Sequence, residues 1–188
     1  MKVDFVFLPN KNDIYNFKRK IKIAKKDRIL CAKYRKGHFE GVIDIMGRFT
    51  KMINPKMIFM GEKDFQQLYL VRNYLKKKFS SKIISCKTIR DNHNLALSSR
   101  NLRLKDNELK TARLISKNLN NFRKILNKKR NIEKLINLKK KEINSFKNVK
   151  VEYLEIRNKY NLKKSTNIKN SKIFIAYYVR KIRLIDNF

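Results

Sequence analysis

The chain has 188 residues, 42% of them hydrophobic, enough for one good core or two small ones and too apolar for a disordered polypeptide. No apolar run approaches the roughly 18 residues that span a bilayer, and Met1-Lys2-Val3-Asp4-Phe5 lacks a signal peptide's basic-then-apolar order, so a cytoplasmic protein with no membrane partner is expected. The formal charge of +34 has two readings: an anionic partner such as nucleic acid, or the drift of AT-rich codons that also gives abundant Lys, Asn, Ile, Phe and Tyr beside 4 Gly, 2 Pro and no Trp. Lysines are spread over every segment rather than gathered with aromatics on one element, which favours drift and argues against a specific nucleic-acid groove.

Lys2 to Leu8 (KVDFVFL) alternates weakly, is rich in β-formers and ends at Pro9, so it predicts a strand. Tyr15 to Lys36 is basic and irregular and reads as loop, with one short strand at Ile29-Leu30-Cys31. From His38, the residues Phe39, Val42, Ile43, Met46, Phe49 and Ile53 recur at three- and four-residue steps on one face of a helix, which Asn54-Pro55 stops. Lys56 to Met60 predicts a strand, Phe65, Leu68, Val71 and Leu75 a helix, and Lys82 to Cys86 a second strand. This strand-helix-strand order implies a parallel sheet.

Beyond Asn101 the order changes. Leu109, Ala112, Ile115, Leu119, Phe122 and Leu126 mark one helix, and Ile132, Leu135, Ile136 and Ile143 a second. Strand-like runs follow at Val149 to Tyr153 and Ile173 to Val179. The chain therefore divides into an α/β unit, residues 1–100, and a small α+β unit, residues 101–188. The runs Lys128-Lys129-Arg130 and Lys139-Lys140-Lys141 read as solvated surface, with nucleic-acid contact as the alternative. Cys31 and Cys86 lack metal-ligand spacing and read as small packing residues.

Two segments carry chemistry. Gly61-Glu62-Lys63-Asp64 follows a predicted strand and opens a helix, where glycine admits a ligand to the backbone, the helix start favours anions and Lys63 adds a point charge; a charged surface turn is the equal alternative. Leu97-Ser98-Ser99-Arg100-Asn101 sets two hydroxyls beside a guanidinium, which suits phosphate oxygens, while helix capping by Ser99 or Asn101 is the plainer explanation.

Taken together, Gly37-His38-Phe39 with Gly41-Val42, GEKDFQQL from Gly61, LALSSRN from Leu95 and the terminal RLIDN from Arg183 resemble the pantothenate synthetase family in order and spacing, over nearly the whole chain. The resemblance implies a partial Rossmann-like nucleotidyltransferase domain with a parallel sheet, followed by a small C-terminal domain, in a homodimer. It implies an ATP- and Mg2+-dependent ligase that joins pantoate to β-alanine through pantoyl adenylate. It further implies that Gly61, Glu62, Lys63 and Asp64 form an ATP loop, with Lys63 on the phosphates and Asp64 near the ribose. Leu97, Ser98, Ser99 and Arg100 would close over the triphosphate, with Lys63, Ser98, Ser99 and Arg100 as the catalytic set. Ile89 would offer its backbone to adenine, and Gln67 would hold pantoate. His38 either lies near pantoate or packs at the helix start.

The family's opening segment, with its paired-histidine H-x-G-H motif, has no counterpart among these residues, so the chain is expected to be weakly active alone or to need a separate N-terminal half. His38 and His93 are the two histidines, and His93 reads as loop surface. Smaller departures are Lys36 for a proline, Ala32 for a glycine, His93-Asn94 for Asp-Gly and Leu102-Arg103 for Gly-Tyr. A basic nucleic-acid-binding protein on a degenerate ligase scaffold is the alternative.

Overall fold

Left-handed backbone marks both ends of the longest helix in the first half. Gly37 precedes it at φ 77, which glycine adopts without the penalty a Cβ brings, and Asn54 follows at φ 48 before Pro55. In this computed structural model, which describes residues 2–15, 17, 20–126 and 131–188, that helix is α3 (His38–Ile53), preceded by α1 (Lys11–Ile14) and α2 (Leu30–Tyr34). Strand β1 (Met57–Gly61), helix α4 (Phe65–Leu75) and strand β2 (Lys82–Cys86) then make the expected crossover. The two strands pair in parallel from Met57↔Lys82 to Gly61↔Cys86.

The second half runs α5 (Asp106–Leu126), α6 (Ile132–Asn144), β3 (Val149–Asn158), β4 (Ser171–Val179) and β5 (Ile182–Asn187). The three strands form a separate antiparallel sheet in the order β3-β4-β5. Its middle strand is buried on both faces. Ile173, Ile175 and Tyr177 join Ala112, Ile115, Leu119, Phe122 and Leu126 of α5 in one core, while Phe174 and Ala176 join Leu30, Phe39, Ile43 and Leu70 in another. Period-two alternation thus sends neighbouring side chains into different cores. On β3 a register irregularity between Val151 and Tyr153 resets the parity, so that Val151, Leu154 and Ile156 reach the α5 core while Tyr153 points to the other.

Four expectations need correction. Lys2 to Leu8 forms no strand; Phe5 is 93% exposed, and a single extended segment without a neighbouring strand has no ladder to join. Phe7 instead meets Phe49 of α3 edge-on, ring centroids 6.1 Å apart. Ile29-Leu30-Cys31 is not a strand but the entry to α2, whose Leu30, Cys31 and Ala32 are all buried. The turn before it is tied down by Gln66, whose Nε2 donates to the carbonyls of Asp27 (3.1 Å) and Ile29 (2.8 Å) while its Oε1 accepts from the Ala32 amide (3.3 Å). Cys86 is exposed, so Cys31 alone packs. The strand from Val149 continues to Asn158, and β5 was visible in sequence only as the motif RLIDN.

The run Lys128-Lys129-Arg130 lies outside the described residues. Lys139 of the other basic run is engaged, its Nζ donating to Glu142 (2.6 Å) and Asn118 (2.8 Å). No helix among the described residues is long and apolar enough to cross a membrane.

Candidate active site

Both candidate loops leave the carboxyl ends of parallel strands, where open α/β sheets place ligands. Behind β1, Glu62–Asp64 form one 3-10 turn that runs into α4. Gly61 sits at φ −69, and a Cβ built on it would meet nothing within 4 Å. Neither its conformation nor its protein neighbours require a glycine. Behind β2, the chain closes a small hairpin at Arg90 and Ala96 and then enters the 3-10 turn Ser99–Arg103. Asp91 organises this hairpin: Oδ1 accepts the amides of His93 (2.9 Å) and Leu95 (3.0 Å), and Oδ2 accepts Arg113 Nε (2.7 Å). Burial alone would raise its pKa, but the Arg113 bond and the two amides outweigh it and hold the carboxyl below its ordinary value.

The loops border two adjoining pockets. The first is lined by Arg35, His38, Lys63, Asp64, Gln67 and Tyr153, among others, and the second by Lys63, Ser98, Arg100, Asn101, Tyr177 and Asp186. Lys63, Ile185 and Asp186 line both, so Lys63 stands at the junction. Six sequence candidates therefore converge: His38, Lys63, Asp64 and Gln67 on one side, Ser98 and Arg100 on the other. Gly61, Glu62 and Ser99 flank these residues without lining either of the two pockets. Ile89 and Leu97, 72% and 54% exposed, stand outside, and the Ile89 carbonyl accepts the Leu97 amide at 2.9 Å. The cap expected of Ser99 or Asn101 falls instead to Ser98, whose Oγ accepts the Arg100 amide at 3.2 Å, while Asn101 Nδ2 donates to the Ala96 carbonyl at 2.9 Å. Capping and ligand contact are compatible for a hydroxyl, which can accept and donate at once. His93 is exposed, as expected.

The site is cationic. Burial lowers the pKa of His38, and the charges of Arg35, Arg100 and Arg183 lower it further against the pull of Asp64. Arg35 is lowered chiefly by burial, with Arg100 and Arg183 again opposing its charge. Cations that oppose one another's charge across a cleft favour an anion between them, with Asp64 and Asp186 as the carboxylates on its wall. Arg183 is itself held by Glu152, Nη2 to Oε2 at 2.6 Å, and touches Cys31 Sγ at 3.4 Å. The Cys31 thiol also lies 3.1 Å from the Tyr153 hydroxyl, whose pKa is pushed up by burial and then by Cys31. Tyr153 therefore stays a neutral phenol at the pocket wall.

Sequence reasoning missed Arg35, Tyr153 and Asp186. Arg35 was hidden in a basic stretch where one cation looks like the next. Tyr153 needed the bulge to turn it inward. Asp186 lay in a recognised motif whose partner, Arg90, is 96 residues away. Its carboxylate accepts Arg90 Nη1 (2.7 Å) and Nη2 (2.9 Å), while burial raises its pKa against the pull of Arg90 and of the Asn187 amide.

An α/β protein with a cationic cleft beyond the ends of its parallel strands is the class that this geometry defines. The sequence profile described as Pantoate-beta-alanine ligase matches residues 1–188, and the chain belongs to that family, whose members are ligases forming a carbon-nitrogen bond. It is 40% identical to the bifunctional pantoate ligase/cytidylate kinase of Prochlorococcus marinus, over 98% of this chain and 37% of that protein. It is 35% identical to the pantothenate synthetase of Azobacteroides pseudotrichonymphae, over 97% of this chain and 67% of that one. The crystal structure of pantothenate synthetase from Thermus thermophilus superposes with a TM-score of 0.88 at 25% identity, over 99% of this chain and 69% of its own. The ligase from Francisella tularensis, complexed with beta-gamma ATP and beta-alanine, gives a TM-score of 0.70 at 33% identity, over 95% of this chain and 61% of its own. The chain thus spans about two thirds or less of the relatives it matches.

Proposed function

We propose that these residues supply the nucleotide and pantoate side of a pantothenate synthetase reaction. The observation that carries this reading is Lys63 at the junction of two pockets, one bearing Ser98 and Arg100 and the other His38 and Gln67. The triphosphate lies along Ser98, Ser99 and Arg100 with Lys63 on its phosphates, and Asp64 faces the ribose. Pantoate sits against Gln67 and His38, its carboxylate drawn toward the same cations. A pantoate oxygen attacks the α-phosphorus, pyrophosphate leaves, and the β-alanine amine then attacks the acyl carbon and expels AMP. Fixed cations around the α-phosphate stabilise the charge that develops there and hold the reactants together.

Magnesium enters as part of the nucleotide substrate, offsetting charge on its phosphates. The cleft carboxylates have cations of their own, Asp64 near Lys63 (3.9 Å) and Asp186 on Arg90. The paired histidines of the family motif act from residues outside these 188, in the same or another polypeptide. A cytoplasmic homodimer, divided near residue 101 into two domains, completes the reading. The test is AMP release dependent on both pantoate and β-alanine, with the chain alone and with the N-terminal segment of a related enzyme added. Background turnover alone and gain on addition support the proposal; robust turnover by the 188 residues alone refutes the need for that segment.

A further inference from the structure

The last strand ends in two consecutive buried polar residues, Asp186 (7% exposed) and Asn187 (3% exposed), and each is bound to a different loop of the cleft. Asn187 Nδ2 donates to the carbonyls of Glu62 (2.8 Å) and Lys63 (3.0 Å). Its Oδ1 accepts Lys172 Nζ (3.0 Å), which also reaches Glu62 Oε2 at 3.5 Å. The amide orientation is fixed by these partners, since turning it over would set its oxygen against two carbonyls and its NH2 against an ammonium. Asp186 grips Arg90 of the other loop, and the Asn187 carbonyl accepts a further bond from Arg90 Nη2 at 2.9 Å. The loop carrying Lys63 is short and bends into its 3-10 turn without a side-chain cap of its own. Its peptide orientation is therefore set from outside, by one carboxamide of the C-terminal sheet.

We infer that Asn187 is a positioning residue: it holds the Glu62 and Lys63 carbonyls so that the Lys63 ammonium points into the cleft. Asp186, through Arg90, sets the opposite loop at a fixed distance. The inference deepens the reading of Lys63 as a phosphate contact and rests on it for its consequence in binding, though not for its structural content.

The experiment pairs Asn187→Asp, the same size with an oxygen in place of the donor, with Lys63→Ala and with the double variant. ATP affinity and amide hydrogen exchange are measured on the full chain. Exchange in residues 61–65 should quicken while that in 106–126 stays as in the wild type. ATP affinity should fall about tenfold in Asn187→Asp, as for a Lys63 ammonium displaced from one phosphate contact, and should fall no further when Asn187→Asp is added to Lys63→Ala. Unchanged exchange across 61–65 overturns the inference whatever ATP does. Additive losses also overturn it, because a residue that merely supports the fold would weaken both backgrounds alike. Wild-type ATP affinity in Lys63→Ala would instead sink the reading of the site, leaving the exchange result to decide the role of Asn187. Should Asn187→Asp not fold, Lys172→Met releases Asn187 Oδ1 and Glu62 from a less buried position. It must then loosen 61–65 selectively, and unchanged exchange there overturns the inference.

Discussion

Arg90 reaches from the hairpin behind β2 to Asp186 in the last strand, with Nη1 2.7 Å from Oδ2 and Nη2 2.9 Å from Oδ1. The Arg90 guanidinium also lies over the Phe188 ring, 4.7 Å from its centroid. Removing Arg90 leaves a buried carboxylate with one amide for company, so Arg90→Ala should destabilise the chain by about 3 kcal/mol, read from urea unfolding. A loss below about 1 kcal/mol would mean that water already screens the pair.

Lys63→Ala removes the cation at the pocket junction. If the phosphate contact forms, ATP binding should weaken by about 1.5 to 3 kcal/mol, measured by calorimetry. Equal affinity in variant and wild type takes Lys63 out of the site.

Gly61→Ala separates a structural from a ligand requirement. With φ −69 and open space around the added methyl, the substitution should leave the melting temperature unchanged or slightly raised. ATP affinity should fall, because only a ligand approaching the backbone needs that space. Unaltered affinity would show that no ligand comes near this peptide.

His38 gives a pH dependence with a definite sign. Its folded pKa is below the ordinary 6.5, so the folded state favours the neutral ring and binds the proton less readily than the unfolded chain does. Stability from this group is complete above about pH 7 and is lost as pH falls through 6.5 toward the folded value. Melting temperatures from about pH 8 to 5 should therefore decline, and His38→Gln should flatten the upper part of that decline. An identical profile in the variant would assign the slope to other groups.

Dispersed lysines predict that any nucleic-acid binding is indifferent to sequence and falls steeply with salt, since counterion release needs charge but no base readout. Filter binding to unrelated duplexes across a salt series checks this. Discrimination of about a thousandfold at physiological salt would contradict it.

Where hydrophobic period and local stop signals coincide, the fold was legible: α3 between Gly37 and Asn54-Pro55, and the β1-α4-β2 crossover. The Lys2 to Leu8 segment shows why pattern alone is insufficient, because alternation describes a residue's fitness for a strand while the ladder depends on a neighbour. At the site, motif order led to Lys63, Ser98 and Arg100. Arg35, Tyr153 and Asp186 depend instead on a bulge, a short buried helix and a contact 96 residues long, none of which leaves a periodic trace. Gln66 and Gln67 both line the first pocket, and the further structural use of Gln66, whose amide ties down the turn at Asp27 and Ile29, left no trace in the motif.

The central residues of β4, Ile173 to Tyr177, have no wet side to lose. In a strand with one polar face, a one-residue slip is punished by burying polar groups; in β4 the same slip would exchange Ile173, Ile175 and Tyr177 for Phe174 and Ala176, apolar for apolar. Features that would resist such a slip are the difference in bulk between the two sides, the bonds of Lys172 to Asn187 and Glu62 at one end, the tight turn at Arg180 (φ 49) at the other, and the bulge opposite Tyr177. Ala176 lies fully buried beneath the first-half helices, and its small size is the notch by which this strand tells left from right.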